Sequence, residues 1–450
     1  MTRLLLPALA LLAAPLLAGC DALFGAKQDP VTDEIFREGQ VDPTLFDNVG
    51  YVPLTPFYTE STLGTFDRPS DVYVGFDELL YVADARGLHV LDLAGRPQAA
   101  LTEIGWPGQP AQPLRGITAI VQDRRLDVYV AARRDTVVQG ASCRRYAGQP
   151  ERCDLPVVYR ISGLTTGNPV LRSILWHPFS DGSRRFTRFE RPGTYQGAGG
   201  QVFSDEDARF TGVATLYDNR LYVTRSGPVN DAASGRPNQT FSPFNAFLVF
   251  SPAGEYVQFA RALSPTIPSL LSAVYPSAVA TYVGPPQRAA FARTEDFVIA
   301  QAPASGAAPL RYPVLSVRVV ETSDGVEFRV DTEKLNVAAA RTAGDGFLYG
   351  DFRFARPTGL ALAADATGYL FVTDGARDSL YVFNRSGVEG VAPPPGARSP
   401  RPVKVSFGGR GSGPLQFNDP QGVAYFRRIV YVADTGNNRI SRFRLNTDFE

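Results

Sequence analysis

The chain is short of the residues that carry most protein chemistry. Its 450 residues include three cysteines, two histidines, one methionine and two tryptophans. The histidines, His89 and His177, have no acid or nucleophile partner recognisable in the sequence, so general-base work has little material to draw on. No G-x-S-x-G nucleophile elbow, no H-E-x-x-H and no phosphate-binding G-x-x-x-x-G-K occurs. The glycine-rich Gly408-Gly-Arg-Gly-Ser-Gly413 leads into a strand pattern and not a helix, which argues against a phosphate cradle. Formal net charge is zero, from 45 basic and 45 acidic residues. A general nucleic-acid binder carries a basic excess, so that class is set aside. Lysine is nearly missing, at three residues against 42 arginines. The longest apolar run, Leu4 to Leu17, has 14 residues, short of the roughly 20 that span a bilayer.

What the chain has is repetition. Six segments read Pro69-Ser-Asp-Val-Tyr73, Leu114-Arg-Gly-Ile-Thr118, Phe210-Thr-Gly-Val-Ala214, Pro276-Ser-Ala-Val-Ala280, Pro357-Thr-Gly-Leu-Ala361 and Pro420-Gln-Gly-Val-Ala424. Five are followed by a second apolar run, such as Leu79-Leu-Tyr-Val-Ala-Asp84, Tyr369-Leu-Phe-Val-Thr-Asp374 and Ile429-Val-Tyr-Val-Ala-Asp434. The fourth has a looser equivalent at Asp296-Phe-Val-Ile-Ala300. A third strand and a polar, Gly-containing turn follow, and 42 glycines with 36 prolines suit many short strands. Units of this kind bury their apolar faces only against their neighbours. The expected fold is all-β: a six-bladed β-propeller of four-stranded antiparallel blades, which leaves only short protected edges. After its third strand the last unit has only residues 446–450 left. Its outer strand is therefore expected from Tyr51-Val-Pro-Leu-Thr-Pro-Phe-Tyr58, closing the ring where prolines are tolerated.

Phe407-Gly-Gly-Arg-Gly-Ser-Gly413, Phe417-Asn-Asp-Pro-Gln-Gly-Val-Ala424 and Val430 to Ile440 together resemble an NHL repeat. Pro357 to Phe383 is a good second copy and Pro69 to Leu93 a fair third, with Asp71 where the glycine stands elsewhere. The middle three are degenerate, with Ala132, Arg225 and Gln301 near the strand-end Asp of the others. The resemblance covers about residues 66 to 445 and implies the same six-bladed propeller.

Arg3 and the apolar run end in Leu17-Ala18-Gly19-Cys20, which resembles the lipobox of bacterial lipoprotein signal peptides. The resemblance implies cleavage before Cys20 and lipid attachment to it. Residues 1–19 are then a signal peptide, 20–50 a lipidated cysteine and tether, and 51–450 one propeller. The expected location is the bacterial envelope, periplasmic or surface-exposed, held to a membrane by acyl chains worth about 0.8 kcal/mol per buried CH₂. Cys143 and Cys153, separated by nine residues, suit a disulfide closing a surface loop in an oxidising compartment. Two thiols without nearby histidine fall short of a structural zinc site.

Insertions mark one face. Arg133 to Pro156 and Ser226 to Asn245 fall between second and third strands, on the side where the chain enters each first strand. Rigid scaffolds carry function on such loops. Arg68, Arg209 and Arg356 precede three motifs and Arg115 lies one step inside another, a candidate rim for anions or carboxylates. The competing reading pairs these arginines with strand-end carboxylates such as Asp84, Asp374 and Asp434. Those aspartates read as turn caps first and metal ligands second. The function expected is recognition of a protein, peptide or glycan by a monomeric, non-catalytic body without cofactor or metal. The alternatives are a hydrolase of the gluconolactonase type, in which a channel cation is held by Glu, Asn and Asp, and a structural subunit of an envelope complex.

Overall fold

The computed structural model describes residues 49–106, 108–176, 193–196, 200, 202–227, 245–260, 263, 274–285, 294–303, 308–323, 325–340 and 343–449. The expected signal peptide, Cys20, the tether up to residue 48 and His177 lie outside them. Six four-stranded antiparallel sheets follow one another along the chain. Blade one uses Asp71–Val74, Leu80–Asp84, Gly87–Leu91 and Pro97–Leu101. Blade two uses Arg115–Gln122, Val128–Val137, Arg152–Ser162 and Val170–Trp176. Blade three is Arg209–Thr215, Leu221–Ser226, Ala246–Phe250 and Tyr256–Phe259. Blade four is Pro276–Thr281, Phe297–Gln301, Val314–Thr322 and Gly325–Val330. Blade five is Pro357–Leu362, Leu370–Asp374, Ser379–Phe383 and Phe407–Gly408. Blade six is Pro420–Phe426, Ile429–Asp434 and Arg439–Leu445, completed by Tyr51–Pro53. Among the described residues no helix is long and apolar enough to cross a membrane.

The ring closes as the sequence predicts. Tyr51 pairs with Leu445 and Pro53 with Phe443, and Tyr58 bridges Ile440. Tyr58 is buried, donates its hydroxyl to the Leu93 carbonyl at 2.7 Å and accepts from Arg442 at 2.6 Å. Val49 and Gly50 already belong to this body, and Gly50 exchanges hydrogen bonds with Asn446.

Second strands such as Leu80–Asp84 and Leu370–Asp374 are buried at every residue, because neighbouring blades cover both faces of each sheet. That explains their continuous apolar runs. Between blades three and four Phe247 and Phe297 stack at 4.2 Å, with Tyr222 and Phe328 against them. Each such ring, taken fully out of water, contributes roughly 1.5–3 kcal/mol.

In five blades a hydroxyl at the start of the first strand ties it to the next blade. Ser70 donates to Ile117, Thr118 to Phe210, Thr211 to Pro276, Ser277 to Pro357 and Thr358 to Pro420, all onto carbonyls at 2.6–2.9 Å. Blade six has Gln421 at this position, and Thr435 completes the ring by donating to the Pro69 carbonyl at 2.6 Å. The same pattern corrects the reading of blade two. Thr118, not Arg115, is the counterpart of Ser70 and Thr211, so the repeat there is Ile117-Thr118-Ala119-Ile120-Val121. Gly116 imitated the motif glycine, but it adopts φ +62° at an irregularity before the strand straightens. The true motif glycines answer a close approach: a Cβ on Gly359 would stand 2.3 Å from the Gln421 carbonyl oxygen of the next blade.

Candidate functional site

The chain enters first strands and leaves second strands on one side of the ring, here called the front face. In blades one, five and six a buried aspartate fastens that face. Asp374 accepts backbone N–H bonds from Ala355, Arg356, Ala376 and Arg377 at 2.7–3.1 Å. Asp434 accepts from Asn418 N–H and the Arg439 Nε at 2.8 Å each. Asp84 accepts from Asp67, Arg86 and Gly87 N–H and stands 2.7 Å from His89 Nε2. Burial alone would raise the Asp84 carboxyl, but the His89 and backbone contacts hold it below its ordinary value. Strand-end aspartates are therefore latches and caps, and His89, wholly buried in the third strand, belongs to one of them. Gln301 does the same for blade four, accepting the Val274 N–H at 2.6 Å.

Blade two has Ala132 at the latch position, and its second and third strands run on to 10 and 11 residues. They stay paired as far as Val137 opposite Arg152, so a hairpin stands off the front face. The Cys143–Cys153 disulfide closes its tip, and both sulfurs pack with Ala141 and Leu155 in a small separate core. Facing it is the lead-in to blade three, where Ser204 caps the turn Asp205–Asp207. Glu206, buried, reaches across and accepts the backbone N–H groups of Arg144, Arg145 and Asp154 at 2.7–2.9 Å. One carboxylate thus fixes the hairpin tip to blade three.

Between these walls lies a groove of about 1120 Å³, lined by Arg115, Arg133, Arg144, Arg145 and Arg209 with Asp154, Glu206 and Asp207. Three of the guanidinium groups are occupied. Arg133 donates to the Asp154 carboxylate and to the carbonyls of Asp154, Glu206 and Ala208 at 2.6–3.0 Å. Arg144 reaches both oxygens of Asp207 at 2.6 and 2.7 Å. Arg115 pairs with Asp154 at 3.0 Å and with Asp135. Burial lowers the Arg115 pKa, but those two carboxylates outweigh it and the net shift is upward. Asp135 in turn accepts from Tyr146 and Arg152, which with Arg115 hold its carboxyl below the usual range against the opposing effect of burial.

The central channel opens beside this groove. It encloses about 1050 Å³, and Asp207 and Arg209 line both concavities. Its walls are first-strand backbone and small side chains, and most wall hydroxyls are spent on the next blade. Asp71 is the exception, a carboxyl where other blades have glycine or alanine. It accepts the Val72 N–H at 2.9 Å and, across the blade boundary, the Ile120 N–H at 2.7 Å. Burial pushes its pKa up to about 7 against those two bonds. Among the described residues no three His, Cys, Asp or Glu side chains converge as metal donors.

The four arginines singled out from sequence do not form one ring. Arg209 and Arg356 line the channel, Arg115 and Arg209 line the groove, and Arg68 lines neither. Arg356 is paired with Asp419, whereas Arg209 is exposed and has no side-chain partner among the described residues. Sequence reasoning missed Arg133, Arg145, Asp154 and Glu206. The Arg144-Arg145 pair beside Cys143 was the available signal, but nothing in the repeat pattern connects residue 145 with residue 206.

The NHL repeat family matches residues 417–443, the span from Phe417 to the third strand of blade six. The chain is a six-bladed β-propeller whose last blade carries a match to the NHL repeat. No curated protein sequence matches it. Among solved structures, an auxiliary nutrient binding protein from Bacteroides thetaiotaomicron is 11% identical, with a TM-score of 0.48 over 88% of this chain and 76% of that one. A gluconolactonase from Xanthomonas campestris is 10% identical, with a TM-score of 0.42 over 89% and 91%. Virginiamycin B lyase from Staphylococcus aureus is 12% identical, with a TM-score of 0.37 over 88% and 99%. Likeness at this level carries no argument, and the propeller rests on the sheet topology.

Proposed function

We propose that the chain is a non-catalytic binding module of the bacterial envelope, tied to a membrane through a lipidated Cys20 and using its front face to hold a protein, peptide or glycan. The observation that carries this reading is the continuity of two concavities on that face. Asp207 and Arg209 border both the channel mouth and the groove under the disulfide hairpin. A rigid scaffold that clamps an insertion beside its channel mouth offers an adaptable surface there.

The test is affinity capture from detergent-solubilised envelope with the full-length chain and with a shortened-hairpin form. Val137 and Arg152 face each other, so a two-residue turn can replace the residues between them, with Cys153→Ala. Partners held by the full chain and lost by the short form support the reading. Equal capture by both forms would move the contact off this face, and no specific partner with either would overturn it. The anchor has its own check: incorporation of radiolabelled fatty acid that Cys20→Ala abolishes.

A further inference from the structure

We infer that the groove between the blade-two hairpin and the lead-in to blade three is an oxyanion subsite, in which the guanidinium groups of Arg145 and Arg209 grip a carboxylate or phosphate group of the ligand. The inference rests on the front-face reading above and names the chemistry it would recognise.

Charge is the first ground. Five guanidinium groups and three carboxylates line the groove, an excess of two positive charges. The excess is localised. Asp207 is taken by Arg144, and Glu206 is filled by three backbone N–H groups. Asp154 is shared by Arg115 and Arg133 at 3.0 and 2.9 Å, and Arg145 only approaches it, at 3.9 Å. The Arg145 side chain remains 66% exposed. Arg209 is exposed with no side-chain partner among the described residues.

Fixed backbones are the second ground. Arg145 is held at its N–H by Glu206, and Arg209 opens the first strand of blade three opposite Ser226. Two exposed guanidinium groups, one in a long 3.9 Å ion pair with Asp154 and one without a side-chain partner among the described residues, thus stand on anchored backbones along one concavity, which lowers the ordering cost of gripping an anion. Arginine suits this role because its planar fork bonds carboxylate and phosphate in pairs and its charge does not titrate away. Val202 and Phe203 line the same groove and offer an apolar surface to the body of an organic acid.

The test uses purified full-length protein in detergent at low ionic strength, titrated calorimetrically with inorganic phosphate and with malonate, and with chloride as the blank. The variants are Arg145→Gln with Arg209→Gln, and Arg68→Gln as a control outside both concavities. The expected result is binding of at least one probe, weakened on the order of 100-fold in the double variant from loss of two charge-assisted contacts, and unchanged in the control. Binding of phosphate alone assigns a phosphorylated ligand, and of malonate alone a carboxylate. No binding by the wild type, or equal weakening by Arg68→Gln, overturns the subsite. Either result leaves partner capture to be judged by the hairpin test. An unchanged melting temperature in the double variant excludes a folding defect, since both side chains are surface groups.

Discussion

Blades five, six and one differ from blades two and three in where their polar side chains go. In the first group a carboxylate at the end of the second strand is spent on the blade's own chain. Asp374 and Asp434, both fully buried, gather the lead-in and the tight turn beyond, and the turn stays short. In the second group Ala132 and the wholly buried Arg225 stand there instead. Where Ala132 cannot latch, the strands of blade two extend and carry arginines and carboxylates out to the front face. Latching and strand extension are thus alternative outcomes at one position in the repeat.

The largest expected effect lies where the regular group closes the ring. Deleting residues 51–58 removes the outer strand of blade six and the buried rings of Tyr51 and Tyr58. Two such rings alone represent about 5 kcal/mol, which for a body of this size lowers melting by about 5 °C or more. A shift of one or two degrees in calorimetry would mean that the ring is held by its hydroxyl bonds and not by this strand.

A matched pair of substitutions sharpens the comparison. Asp374→Ala and Glu206→Ala each remove a buried carboxylate that accepts several backbone N–H bonds. Orphaning such donors costs about 1–3 kcal/mol or more per site. Asp374 stands inside the ring, so its loss is expected to lower the global melting temperature by several degrees. Glu206 joins a peripheral hairpin, so its loss should leave melting nearly unchanged while opening residues 138–151 to limited proteolysis. Equal melting shifts would show that the hairpin is part of the cooperative unit and not an appendage on it.

The same division decides what was legible in the sequence. Blades, closure and latches follow from periodic residues, and Asp84, Asp374 and Asp434 cap as their type and place suggest. The register of blade two was misread by three residues, because Gly116 copied a motif glycine while serving a turn at φ +62°. The Cys143–Cys153 bridge was foreseen, and the structure forms it. The groove was not foreseen. Its residues come from positions 115 to 209 and meet only because Glu206 crosses to the hairpin tip. An insertion has no period, so sequence spacing holds no record of its contacts. Arg68 shows the converse: it keeps the motif position, yet its place in the ring puts it outside both concavities.

Asp71 is the one departure inside the regular group, and it offers the smallest and most specific test. Its pKa is raised from 3.8 to about 7, chiefly by burial. The folded chain therefore holds a proton there that the unfolded chain has already released. The resulting stability is fully present below the unfolded value near 4 and is lost as pH rises through about 7. Asp71→Asn removes this titration while keeping an oxygen to accept a backbone N–H. The wild type should lose a few degrees of melting temperature between pH 5.5 and 8 that the variant does not lose. Water entering the channel solvates the carboxylate and opposes the rise, so the difference stays modest. Parallel melting curves for the two proteins across that window would mean that Asp71 remains ionised throughout. Its bond to Ile120 would then be a charged strut between blades one and two, and the channel wall would carry a fixed negative charge at neutral pH.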